Sequence, residues 1–311
     1  MAASDSTAQP HPLTLRHALF ALLVASLWGG NIVSLKIGLT AIPPFWCAFW
    51  RMLFGAIVVI TWAVSRGVPL KPAASERSSL IKLGLLFTAQ IGLMNAGASM
   101  TSPAFGEVII NSYAIFANLV AHFTGEHERL TAVRTVGLAL AFCGLCLVAF
   151  GRPDAALAPR PLEGNLVMVL SSFLLGVRQV YTRHIVQTVH PSRAVVWMIG
   201  MSVPLFALCA LVTGEPMLRA PLTAAPVIAV LYQGIVVAGI CFVGWAWLLK
   251  RHAAGQIAMF SFIVPFAGMT FSATLLGEPV RAGLLTGAGL AIGGLLLVTL
   301  GDRFRRKFRN P

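Results

Sequence analysis

Charge is scarce in this chain, and acid is scarcer still. Of 311 residues only ten are Asp or Glu, against 23 Lys or Arg. Charged residues make up 11% and apolar ones 57%, a balance that excludes a water-soluble domain of ordinary composition. No Gly-x-x-x-x-Gly-Lys-Ser/Thr loop is present, and no Gly-x-Gly-x-x-Gly follows a strand. Nothing therefore points to a nucleoside triphosphate as energy source or to a bound cofactor. The five cysteines (Cys47, Cys143, Cys146, Cys209, Cys241) all lie in apolar runs. Cys143 and Cys146 have CxxC spacing but no partner pair or neighbouring His, so they read as small packing residues and not as metal ligands. Residues 1–13 are polar, read as a disordered tail, and lack the cleavage pattern of a secretory signal.

What the chain has in abundance is apolar runs of about 20 residues, long enough to cross the hydrocarbon core as helices. A membrane barrel would instead show alternating segments of about ten residues. Ten spans are expected, near 15–38, 44–65, 80–100, 105–124, 132–151, 163–185, 192–213, 224–249, 255–276 and 282–301. The net charge of +13 suggests nucleic acid at first, but no soluble segment is long enough to bind it. The loops explain the charge better. With the amino terminus inside, sixteen Lys or Arg fall on the inner side and five on the outer (Lys36, Arg152, Arg160, Arg219, Arg281). That bias fixes orientation, with both termini cytoplasmic in a cell (inner) membrane.

The stretch Gly277–Gly301 has an earlier copy at Gly125–Gly151. A shift of 150 gives eight identities in the fifteen positions 137–151, among them Gly137 with Gly287 and Gly144 with Gly294. Both copies open on a Gly-Glu pair. The chain therefore reads as a duplication: a first five-helix repeat at 14–151, a linker loop at 152–162, a second repeat at 163–301 and a basic tail at 302–311. Five helices per half is odd, so the halves have opposite orientation. The expected fold is an all-α polytopic membrane protein, ten transmembrane helices as two inverted repeats, with a site near the midplane between them.

The opening segment Ser26–Arg51, SLWGGNIVSLKIGLTAIPPFWCAFWR, the pairs Gly125-Glu126 and Gly277-Glu278, and the 5+5 layout together resemble the EamA-type members of the drug/metabolite transporter superfamily. The resemblance covers nearly the whole chain. It implies a transporter that exports or imports small metabolites, amino acids or drugs, and leaves the cargo open. The family usually has a proline in the helix before each Gly-Glu pair. Pro265 matches in the second half, whereas Tyr113 stands in the first, which predicts a straighter helix there.

On the fourth helix, Glu107, Asn111, Ala114 and Asn118 share about a 60° arc, a stripe expected to face a cavity and not lipid. Glu107 can carry a proton or pair with a cation; an outer-interface acid capping its helix is the alternative. Arg51 and Arg178 are the most deeply set cations. Arg51 is a candidate partner for Glu107 or for a substrate carboxylate, with snorkelling as the plainer reading, which is preferred for Arg178. The remaining candidate binding residues are Trp28, Asn31, Gln90, Tyr113, Gln179, Tyr181, Gln233, Trp245 and Ser261. Gly289 with Gly293, and Gly137 with Ala141 and Gly144, suggest close helix packing, within the chain or in a homodimer through the fifth and tenth helices. Gly29-Gly30 reads as a hinge or a point of close approach.

The expected function is a secondary active or facilitative transporter, proton-coupled or not, working on a small-molecule substrate within the lipid bilayer. The rival is a membrane enzyme such as a lipid-modifying transferase, for which the convergent catalytic groups are lacking.

Overall fold

A computed structural model describes residues 14–124, 132–252, 256–257 and 259–309, and no strand occurs among them. The helical segments in order are α1 (Leu15–Gly29 and Asn31–Gly38), α2 (Pro44–Ser65), α3 (Ala74–Met100), α4 (Pro103–Asn111 and Tyr113–Phe123) and α5 (Ala132–Ala149). There follow α6 (Pro161–Ile185), α7 (Pro191–Val212), α8 (Ala224–Leu231, Tyr232–Cys241 and Phe242–Arg251), α9 (Met259–Phe262 and Ile263–Leu276) and α10 (Ala282–Arg309). Proline sets several of the starts. Pro44, Pro103, Pro161 and Pro191 each occupy an opening position, where a missing N–H leaves no bond unmade.

Among the described residues, nine helices are long and apolar enough to cross a membrane. α6 is as long, at 25 residues, but it carries Glu163, Asn165, Arg178, Gln179 and Arg183. Large apolar side chains such as Ile57, Phe142, Leu208, Ile228 and Leu285 are exposed on the outside of the bundle, while Phe87, Leu83 and Phe206 fill its interior. Apolar surface facing both ways is the pattern of a polytopic membrane protein, whose outer solvent is lipid.

Small residues decide which helices touch closely. A Cβ on Gly144 would lie 2.5 Å from the Gly287 carbonyl oxygen, and one on Gly137 2.7 Å from that of Gly294. Neither site has room for a side chain, and α5 and α10 cross backbone to backbone. Gly289 and Gly293, by contrast, face open space. Gly55 of α2 meets Ala238 of α8, Gly176 of α6 meets Ala117 and Phe116 of α4, and Gly29 of α1 meets Ala267 of α9. α2 also packs on α7, and α3 on both α6 and α7.

One face of the bundle is held by charged caps supplied from elsewhere in the chain. Gly277 has φ 66° and ends α9 in the left-handed conformation, which favours glycine. Glu278 then turns inward, 2% exposed. Its carboxylate accepts from the Ala104 N–H of α4 at 3.0 Å and from the Ser272 hydroxyl. Glu215, on the α7–α8 connection, does the same for α2, accepting from the Phe45 N–H at 2.9 Å. Lys36, at the end of α1 and close to Glu278, donates to the carbonyls of Ala98, Ser99 and Thr101, where α3 ends. Anions sit on helix starts and a cation on a helix end, as the peptide dipoles favour. Gly125 and Glu126, the first-half pair, lie outside the described residues.

Two expectations differ from what is found. The first-half helix is not straighter for lacking proline: α4 is interrupted at Ser112, immediately before Tyr113. The Ser112 hydroxyl donates to the Val108 carbonyl at 3.1 Å, a back-bond that commonly bends helices. α10 also continues past 301, remaining helical through Arg309.

Candidate functional site

Regular helices leave no backbone group free for recognition, so irregular ones mark where a site can form. Irregularities occur at Gly30 in α1, Ser112 in α4, the π-helical stretch Tyr232–Cys241 in α8 and the 3-10 turn Met259–Phe262 in α9. They are not scattered. The Tyr232 ring lies against Gly30, and its hydroxyl donates to the Leu27 carbonyl at 2.5 Å. Ser112 and Phe262 line a common cavity.

Polar side chains from α2, α4 and α8 lie along the α1 segment that follows its break, with Gln233 at the far end beside Gly38. Asn31 Oδ1 accepts from Arg51 Nη2 at 3.1 Å. Glu107 lies beside the Ile32 backbone and packs its side chain onto Gly268 of α9. Gln233 lies next to Cys47. Arg51, Glu107 and Gln233 are at most 3% exposed. Arg51 Nε and Nη1 have no partner among the described residues; Gln233 reaches the Cys47 thiol, and the Glu107 carboxylate reaches Asn111 and the Ile32 backbone. Buried polar atoms left without a partner are costly; others occur on Gln90, Asn95, Ser102, Arg178, Gln256 and Glu278.

The cavity, of about 170 Å³, lies between α4, α9 and α10 in the half of the bundle away from the Gly277–Glu278 turn. It brings together five of the residues singled out in the sequence: Asn111, Tyr113, Asn118, Ser261 and Pro265. Asn111 Nδ2 donates to the Glu107 carbonyl at 2.8 Å and to its carboxylate at 3.0 Å, linking the cavity to the α1 break. Asn118 Nδ2 donates to the Ala114 carbonyl at 2.8 Å.

Other candidates lie elsewhere. Gln90 bonds Ser171 at 3.2 Å across α3 and α6, and Tyr181 donates to the Ser79 carbonyl at 3.3 Å, so both serve helix contacts. Trp28 stacks edge-on with Trp245, centroids 5.6 Å apart. Gln179 is exposed and stands beside Tyr113, with Arg178 near. Arg178 does not snorkel: it is 8% exposed, with its guanidinium 4.9 Å over the Phe87 ring. Arg51 pairs with Asn31 and not with Glu107. Two contributors escaped the sequence reading. Tyr232 is one of only three tyrosines, a signal that was available. The cavity wall on α10 (Ile292, Leu295, Val298, Thr299) gave none, because its residues look like ordinary packing.

A model described as the EamA-like transporter family matches residues 15–150 and again 162–300. The chain belongs to this family. Among its EamA-like relatives, a probable amino-acid metabolite efflux pump of Salmonella typhimurium is 26% identical over 310 residues, covering 96% of this chain and 99% of the pump. A protein of the same description in Escherichia coli K12 is 25% identical over 306 residues, covering 94% and 98%. The uncharacterized transporter YoaV of Bacillus subtilis is 23% identical over 277 residues, covering 89% and 94%. A solved crystal structure aligns with a TM-score of 0.66 at 21% identity, covering 93% of this chain and 98% of the other, and shares the fold. The EamA-like chain is thus a multi-pass membrane transporter of a small molecule, and not an enzyme.

Proposed function

We propose that the protein is a secondary transporter that exports a small organic metabolite (an amino acid, amine or drug-like compound) by alternating access. The observation that carries this reading is the meeting of the broken helices α1 and α8, with Asn31, Arg51 and Glu107 buried or half-buried at the α1 break, beside a cavity in one half of the bundle. Broken helices at midplane depth are how membrane carriers expose backbone and side chains to a cargo. The capped face, with Glu278, Lys36 and Glu215, is the closed side; the cavity lies toward the other, so the arrangement is that of a carrier open inward.

The mechanism needs two conformations of similar energy, and an inverted repeat supplies them. α6 is then the tenth span, with halves at 14–151 and 163–301. Packing supports the exchange of each helix with the one five later. α1 on α9 mirrors α6 on α4, α2 on α8 mirrors α7 on α3, and α2 on α7 and α5 on α10 mirror themselves. The glycines follow the same rule: sequence equates Gly137 with Gly287 and Gly144 with Gly294, and the contacts join Gly137 to Gly294 and Gly144 to Gly287. The bias of basic loops supports a cell (inner) membrane orientation with both termini cytoplasmic. The facing glycines of α5 and α10 are used within the chain. A homodimer through these helices would therefore use the open Gly289 and Gly293.

Glu107 is the coupling group in this scheme, since its carboxylate is buried between the α1 break and the cavity. Proteoliposome flux of a pooled metabolite library, with and without a pH gradient, tests it. Saturable flux that the gradient accelerates, and that Glu107→Gln no longer couples, is expected. Flux indifferent to both would remove Glu107 from coupling, and no flux from folded protein would remove the carrier reading.

A further inference from the structure

The cavity between α4, α9 and α10 is chemically one-sided. Its two amides have their orientations set by acceptors: Asn111 Nδ2 is committed to the Glu107 carbonyl and carboxylate, and Asn118 Nδ2 to the Ala114 carbonyl. Each Oδ1 is thereby left over as an acceptor. Two of the lining hydroxyls are spent as donors as well. Ser112 donates to the Val108 carbonyl and Thr299 to the Leu295 carbonyl. Among the described residues no Lys, Arg or His lines the cavity to meet an anion, while the Glu107 carboxylate stands directly behind Asn111. The rest of the wall is apolar, chiefly Phe262, Ile292 and Leu295. An occupant that bonds both amide oxygens brings its own donors, and an apolar body suits the rest of the wall. Size limits the body: about 170 Å³ compares with an engineered protein cavity of about 150 Å³ that admits benzene.

We propose that this cavity binds a protonated primary amine carrying an apolar body of about one ring. The ammonium sits between the Asn111 and Asn118 amide oxygens, and the body lies against α10, which becomes a wall of the site and not only a packing helix. The inference deepens the carrier reading and rests on it for its meaning in transport, though binding itself does not require flux.

The test is equilibrium binding of benzylamine, benzyl alcohol and benzoate to the purified full chain in detergent at pH 7, followed by calorimetry. Benzylamine should bind saturably, and benzoate at least about tenfold more weakly, since hydrogen bonds to a charged group make differences of that order or greater. Asn111→Leu and Asn118→Leu should each weaken benzylamine by about tenfold or more, and Asn118→Asp should restore or improve on the parent affinity. Leu295→Trp, which fills the cavity from α10, should abolish binding while the melting curve stays cooperative. Benzoate binding as tightly as benzylamine, or benzylamine binding unaffected by Leu295→Trp, would overturn the assignment. Saturable metabolite flux without benzylamine binding would sink this site and leave the carrier. Benzylamine binding without flux of any compound would do the reverse.

Discussion

Glu278 carries the most specific structural claim, because one buried side chain holds two helices together. Its Oε2 accepts from the Ala104 N–H at 3.0 Å and from the Ser272 hydroxyl. Ala104 belongs to the first turn of α4, where amides lack intrahelical partners. Glu278→Ala would leave that amide and the hydroxyl without their acceptor in a site where the present side chain is only 2% exposed. A hydrogen bond to a charged group contributes about 1.5–3 kcal/mol, and a carboxylate at a helix start adds up to about 2 kcal/mol in partly buried geometry. Two bonds are lost but water can replace part of them, so a net loss of about 3 kcal/mol is expected. At about 2 °C per kcal/mol for a chain of this size, the apparent melting temperature falls by roughly 6 °C. Glu278→Gln retains one acceptor oxygen and should lose about 1 kcal/mol, or roughly 2 °C. Differential scanning fluorimetry of both variants in one detergent is the assay. An alanine variant within about 1 °C of the parent would refute the capping argument.

Three further outcomes follow from the packing. Gly144→Leu should prevent assembly of a cooperatively melting protein, since its side chain would strike the α10 backbone, whereas Gly289→Leu should melt like the parent; gel filtration and melting curves compare them. Tyr232→Phe removes the bond to the Leu27 carbonyl at the α1 break and should cost about 1 kcal/mol of stability while altering transport rate; equal rates would detach Tyr232 from the moving parts. The Arg193–Glu76 ion pair, whose Arg193 also donates to the Pro69 carbonyl at 2.7 Å, should show a larger coupling in a double-mutant cycle than the more exposed Arg160–Glu163 pair; equal couplings would refute this.

Helix positions were readable because hydrophobic length and proline are local signals: α2 spans Pro44–Ser65, as its apolar run and leading proline predict. The Asn111–Asn118 stripe reached a cavity because helical periodicity fixes which residues share a face. Partners across helices were not readable. Arg51 meets Asn31 and not Glu107, since that choice depends on helix rotation and separation, which close glycine contacts set. The break at Ser112 goes with a serine back-bond to Val108, too common a local pattern to predict a break, and nothing in the Tyr232–Cys241 sequence announces its π-helical turn. The role of α10 was hidden for a similar reason, as one helix uses Gly287 and Gly294 for contact and Ile292 and Leu295 for the cavity wall. Tyr232 had a signal, its rarity, but a tyrosine on an apolar helix usually reads as packing.

The central claim, carriage by alternating access, is tested most directly by counterflow. Proteoliposomes preloaded with an unlabelled substrate identified from the pooled library would be diluted into a trace of the same compound carrying a label. A carrier whose site faces one side at a time exchanges the two, so the label should accumulate transiently above its external concentration and then decay. Label that merely equilibrates, with no overshoot at any preload, would contradict the account.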